Sequence, residues 1–184
     1  MDDRQIKIKA LLSKTLFAGM GNRIKSDDGV GIYIAEKLKE MLTEDRVIIA
    51  ENGIENYTGK INRLKPDSVI LIDAVDFGEK PGFFKLIPVS EITDTTANTH
   101  NLSLKTLSLF LDVQDIWVLG IQPASVSFGT ELSKEVLAAA WQITKMIIAL
   151  LSQSNHTGVQ KPERLKKFKP RQIINKKTER LKNE

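Results

Sequence analysis

The chain has 184 residues, 41% of them hydrophobic, which suffices for one substantial core and most simply for one domain. It contains no cysteine, so disulfides, thiolate zinc sites, CxxC redox pairs and a cysteine nucleophile are excluded, and a reducing, cytoplasmic setting is expected. The net charge of +4 is unevenly placed: residues 155–184 carry ten Lys or Arg against three Glu, which leaves the rest of the chain net acidic.

In chain order, the opening MDDRQIKIKALLSK lacks the apolar run and small-residue cleavage site of a secretory signal, and reads as an arm or short helix over residues 1–14. The apolar run Leu16-Phe17-Ala18 predicts a buried strand. Val30, Ile34, Leu38 and Met41 or Leu42 then recur at helical spacing, so the intervening segment is a strand-to-helix loop. Asp45–Ala50 reads as a second strand, and Glu55–Leu64 as a helix ended by Lys65-Pro66. Ser68–Ile72 is a continuous run rich in β-branched residues, as a central parallel strand buried on both faces requires, and it delivers Asp73 to its carboxyl end.

Pro81-Gly82 predicts a turn into a strand over Phe83–Pro88, antiparallel because the connection is too short for a helical crossover. A loop rich in Thr and Asn ends at His100. Leu102, Leu107, Phe110 and Leu111 mark the next helix, with Asn98–Asn101 at its entrance. Ile116–Ile121 is the last strand, closed by Gln122-Pro123, and a helix over Ser133–Leu151 turns Val136, Ala140, Ile143, Ile147 and Leu150 or Leu151 to the core. Gln142, Thr144 and Lys145 interrupt that helix, so no transmembrane segment is expected. Residues 153–184 are expected to form a basic, flexible tail, of a sign that also suits nucleic acid, anionic lipid or an acidic partner. The alternation of strands and helices predicts a three-layer α/β/α domain over residues 15–152, with a mostly parallel twisted sheet of about five strands, one of them antiparallel.

The loop Gly19-Met20-Gly21-Asn22-Arg23-Ile24-Lys25-Ser26-Asp27-Asp28-Gly29-Val30-Gly31 joins a glycine turn to paired carboxylates at the mouth of a helix, at the sheet edge where open α/β folds place ligands. A dinucleotide fingerprint needs glycine at position 24, where Ile24 stands, and no GxxxxGK[ST] phosphate loop occurs. Asp27 and Asp28 suit a helix N-terminus electrostatically, so capping accounts for them as readily as chemistry does. Asp73 has less structural reason to end a buried strand, and loops at that edge often carry function. Asp28, Asp73 and the His100 imidazole, brought to one rim by three loops, suit a divalent transition metal with positions left open for substrate. Such a centre activates water or polarises a carbonyl.

With GMGNRIKSDDGVG, ILIDAVDFGEKPG, THNLSL and LGIQP in this order and spacing, the chain resembles the hydrogenase maturation proteases. These endopeptidases trim the C-terminal extension from the large-subunit precursor of nickel-iron hydrogenases. The likeness spans Thr15 to Leu151, and the Thr-His-Asn and LGIQP segments are most similar to the formate hydrogenlyase-type branch. The resemblance implies that Asp28, Asp73 and His100 recognise nickel and form the catalytic set, with Gly19, Gly21, Asn22 and Asp27 supporting the substrate site. It implies no permanently bound cofactor: the nickel arrives in the precursor, which is cut just after its Cys-x-x-Cys-x-x-His/Arg motif. The expected partner is that precursor, with no nucleic acid, and the expected state is a monomer. Two other readings are a non-catalytic chaperone that holds precursor or nickel, and a peptidyl-tRNA hydrolase-like enzyme. The latter is disfavoured because that family resembles GxGNPG at the turn, whereas Arg23 and Ile24 follow Asn22 here.

Overall fold

The computed structural model describes residues 14–51, 53–91 and 104–154. The expected arm, the loop ending at His100 and the basic tail from residue 155 lie outside the described residues. β1 (Thr15–Met20) leads through a 3-10 turn at Ser26–Gly29 into α1 (Val30–Lys39). β2 (Val47–Glu51), a 3-10 turn at Ile54–Tyr57, α2 (Thr58–Leu64) and β3 (Ser68–Ala74) follow. β4 (Phe84–Pro88), a 3-10 turn at Val89–Glu91, α3 (Leu104–Ser108), β5 (Asp115–Ile121) and α4 (Lys134–Ser154) complete the order.

The strands form one sheet in the order β2-β1-β3-β5-β4. β1 pairs in parallel with β2 and β3, and β3 with β5, whereas β4 runs antiparallel to β5 with Phe84 opposite Ile121. The mostly parallel sheet with one antiparallel strand is thus the one expected. Every residue of β3 is buried. Its alternation splits the core between two faces: Ile70 and Ile72 pack with Val30, Ile34 and Leu38 of α1 and with Val136, Ala140 and Ile143 of α4. On the other face Val69 and Leu71 pack with Leu16 and Ala18 of β1, Ile61 of α2 and Leu107 of α3. Each fully buried large apolar side chain contributes about 1.5–3 kcal/mol. α4 is long and apolar enough to cross a membrane by length and composition, yet its stripe from Val136 to Leu151 is packed into the first of these cores.

Local bonding explains where elements depart from expectation. Arg46 N–H donates to the Thr43 carbonyl at 3.0 Å, a turn that delays β2 to Val47. The helix predicted over Glu55–Leu64 begins with a tighter turn, because Asn56 N–H reaches back three residues to the Gly53 carbonyl at 3.0 Å. It ends as expected at Lys65, which takes a left-handed φ of 47° before Pro66. Phe110, expected on a helix face, is instead exposed: α3 stops at Ser108, and Leu109 and Phe110 N–H close 3-10-type bonds that turn the chain outward. Asn62 of α2 fastens this turn, donating to the Phe110 carbonyl and accepting from Asp112 N–H, both at 3.0 Å.

Candidate active site at the carboxyl edge of the sheet

Glycines allow the first turn of α1 to rest on the strand ends. A Cβ on Gly31 would overlap the carbonyl oxygens of Ile72 and Met20, so a side chain there would push α1 off β3 and β1. Gly21 has a φ of 120°, and a Cβ there would overlap the Asp28 carbonyl. Gly19 is buried and faces Gly31 and Ala35 from inside the fold. Between these points the turn bonds to itself. Asn22 Oδ1 accepts from Ile24 N–H at 3.1 Å, Asn22 N–H donates to the Asp28 carbonyl at 3.3 Å, and Asp28 N–H donates to the Lys25 carbonyl at 3.1 Å.

Asp27 and Asp28 are adjacent and both buried, at 0% and 3% exposure. Neither caps the turn they occupy or α1, since neither N-terminus has a side-chain cap bond. The Asp27 carboxylate reaches a distant segment instead. Its Oδ2 accepts from Ala124 N–H at 2.9 Å and Ser125 N–H at 3.1 Å, and its Oδ1 from Ser133 N–H at 2.6 Å. Asp27 N–H in turn donates to the Ser125 carbonyl at 3.1 Å. A buried carboxylate is tolerated when backbone N–H groups surround it in this way. Asp27 therefore fastens the β5–α4 loop to the glycine turn, immediately before the entrance of α4.

Asp73 is the sixth residue of β3 and is 3% exposed. Its Oδ1 accepts from Ala74 N–H at 2.9 Å. Its β5 neighbour is Gly120, where a Cβ would overlap the Phe77 ring and Val75, so these two side chains pack beside Asp73 at the strand ends. Because α1 rests on Ile72 through Gly31, Asp28 and Asp73 share the carboxyl edge of the sheet, one from the turn before α1 and one from the end of β3. Alternation puts Asp73 on the face of Val69 and Leu71, the face that α3 covers through Leu107. His100, which precedes α3, lies outside the described residues. Among the described residues no group of three or more His, Cys, Asp and Glu is gathered as for a metal ion.

In the sequence Gln122 closes β5 within the LGIQP segment and is given no role of its own, yet it organises the other wall. Its Oε1 accepts from Phe77 N–H at 2.6 Å and Glu79 N–H at 3.2 Å, and its Nε2 donates to Asp76 Oδ1 at 3.1 Å. Its backbone pairs with Gly82 and Phe83. The segment after Asp73 is thereby wrapped around one buried amide. Gly78 N–H, and after it the Gln122 amide, hold the exposed Asp76 carboxyl below its ordinary range.

The sequence profile of the hydrogenase maturation protease family matches residues 32–150, a span that includes Asp73 and His100 and begins just after the glycine turn. The hydrogenase 3 maturation protease of Escherichia coli is 34% identical over 113 residues, which cover 59% of this chain and 72% of that one. The crystal structure of a [NiFe] hydrogenase maturation protease from Thermococcus kodakarensis superposes with a TM-score of 0.68 at 28% identity, over 79% of this chain and 99% of that one. The solution structure of an Escherichia coli endopeptidase of the same type gives a TM-score of 0.65 at 28% identity, over 74% of this chain and 90% of its own. Profile, sequence and fold agree, and the chain belongs to the hydrogenase maturation protease family, whose members are endopeptidases.

Proposed function

We propose that this protein removes the C-terminal extension of a nickel-iron hydrogenase large-subunit precursor after nickel has been inserted, acting in the cytoplasm. Asp28, Asp73 and His100 form the set that meets the precursor's nickel. The observation that carries the reading is the pair Asp28 and Asp73, each 3% exposed and delivered to one sheet edge by separate elements. Carboxylate and imidazole are suitable nickel ligands, and the metal belongs to the substrate, so no resident cofactor is invoked. Gly19, Gly21, Asn22 and Asp27 serve substrate binding by shaping the wall that carries Asp28.

Hydrolysis of the peptide bond requires a water that loses a proton as it attacks the scissile carbonyl, and a proton delivered to the departing amine. A carboxylate oxygen of Asp28 or Asp73 that nickel does not occupy takes that proton and returns it to the departing amine. The nickel supplies Lewis-acid polarisation at the carbonyl or the water. Precursor that lacks nickel leaves the carboxylates without the cation they are arranged to meet, so it escapes cleavage. The test is intact-mass analysis of nickel-loaded and nickel-free precursor after incubation with this protein. Loss of a C-terminal peptide from the loaded form alone is expected. Equal cleavage of both forms contradicts nickel gating, and tight binding without cleavage of either assigns the chain to a chaperone role.

A further inference from the structure

The sixth residue of β5 is a glycine, Gly120. A glycine inside a strand weakens it and commonly marks a place where another group must come close. Here that group is an aromatic ring: a Cβ on Gly120 would lie 2.6 Å from Phe77 Cζ and 2.9 Å from Val75 Cγ2. Gly120 is also the β5 partner of Asp73. Paired strands run about 4.8 Å apart, with partnered residues pointing to one face, so the tip of the Phe77 ring stands where the side chain flanking Asp73 would otherwise be. Phe77 and Val75 pack with Leu71 and Val118 on this face, the one to which alternation turns Asp73. The ring is held from two further directions. Phe77 N–H donates to Gln122 Oε1 at 2.6 Å, and the Phe83 ring meets the Phe77 ring edge-to-face, with centroids 5.8 Å apart and planes at 85°.

We propose that Phe77 is a positioning residue for precursor processing: its ring, seated on Gly120, fixes the direction from which the Asp73 carboxylate meets the precursor's nickel. The inference rests on the functional reading above. Asp73 is 3% exposed, and its Oδ1 accepts from Ala74 N–H, the next residue of the strand, at 2.9 Å. That bond sets one oxygen. The ring closes the side towards β5, where a glycine would otherwise leave space for the carboxylate to swing. Displacing a reacting group by about 1 Å costs on the order of 10²-fold in rate, so a side chain that acts only by confining Asp73 still governs turnover. Core filling alone does not account for the arrangement. Phe77 is only partly buried, and a branched residue at position 120 would serve the strand better if the ring had merely to pack nearby.

The test is single-turnover processing of nickel-loaded precursor by the parent protein, Phe77→Ala, Phe77→Leu, Gly120→Ala and the double variant Phe77→Ala/Gly120→Ala, at a temperature where thermal unfolding shows each to be folded. Phe77→Ala is expected to lower the rate at saturating precursor about tenfold or more. Half-saturation is expected to stay within about twofold of the parent's, because a protein substrate is held over a wide surface while the ring acts only through Asp73. Phe77→Leu returns an apolar group to the seat on Gly120 and is expected to recover most of the rate. Gly120→Ala dislodges the ring without changing it and is expected to lose rate as Phe77→Ala does. In the double variant the two losses overlap rather than multiply, since each removes the same contact. A folded Phe77→Ala or Gly120→Ala protein that cuts at the parental rate overturns the proposal and assigns the ring to core filling, which lowers the unfolding midpoint alone. A leucine variant as slow as the alanine one, or losses that multiply in the double variant, overturns it too. In each of these outcomes cleavage by the parent protein leaves the functional reading in place, whereas a parent that does not cut the loaded precursor overturns both.

Discussion

The two walls of the carboxyl edge are held by different chemistry. On the α1 side a buried anion, Asp27, gathers three backbone N–H groups from Ala124, Ser125 and Ser133. On the β4 side a neutral amide, Gln122, gathers Phe77 and Glu79 N–H and leans on the exposed Asp76. Hydrogen bonds to charged groups contribute about 1.5–3 kcal/mol each, against about 0.5–1.5 kcal/mol for neutral ones. The anionic clamp therefore makes a stiff wall that fixes Asp28 and the entrance of α4, whereas the amide clamp shapes a rim loop that solvent can partly support.

That difference breaks first at Asp27. Asp27→Ala leaves three donors without their acceptor and is expected to cost about 3 kcal/mol or more, read as a loss of denaturation midpoint with an unchanged denaturant slope. Asp28→Asn, one residue on, is expected to keep the fold and lose processing. Equal stability of these two variants would contradict the assignment of clamp and reactive carboxylate. Gln122→Leu is expected to cost less, about 1–3 kcal/mol, with hydrogen exchange rising at Phe77 and Glu79 and remaining slow at Ala124 and Ser133. The smallest effect concerns Asp76. Because its folded pKa lies below the ordinary 3.8, it contributes stability that is complete above that value and is lost as pH falls through the lowered one. In Gln122→Leu its carboxyl titration, followed by NMR, shifts upward but stays depressed, since the larger cause, Gly78 N–H, remains.

The sequence made legible whatever local pattern dictates. The continuous β-branched run Ser68–Ile72 read as a buried strand, and its length already set Asp73 at the carboxyl end. The glycine turn was readable because Gly21 and Gly31 answer to backbone approach rather than to packing preference. Asp27 was not legible in the same sense: capping and catalysis both suited it, and its actual partners lie 97 to 106 residues away and are backbone groups, which carry no side-chain signature. Gln122 was hidden for the same reason, its partners at Phe77 and Glu79 being N–H groups in a loop. Phe110 misled because an apolar residue at helical spacing says nothing about where the helix stops. His100 entered through its chemistry and its motif, and it lies outside the described residues.

The central claim is that Asp28, Asp73 and His100 act on nickel carried by the substrate, on a scaffold that does not depend on them. Its most direct test is single-turnover processing of nickel-loaded precursor by the parent protein and by Asp73→Asn and His100→Ala, with thermal unfolding recorded for each. Both variants are expected to unfold within a few degrees of the parent and to leave the precursor uncut. Undiminished cleavage by the two variants would contradict the account.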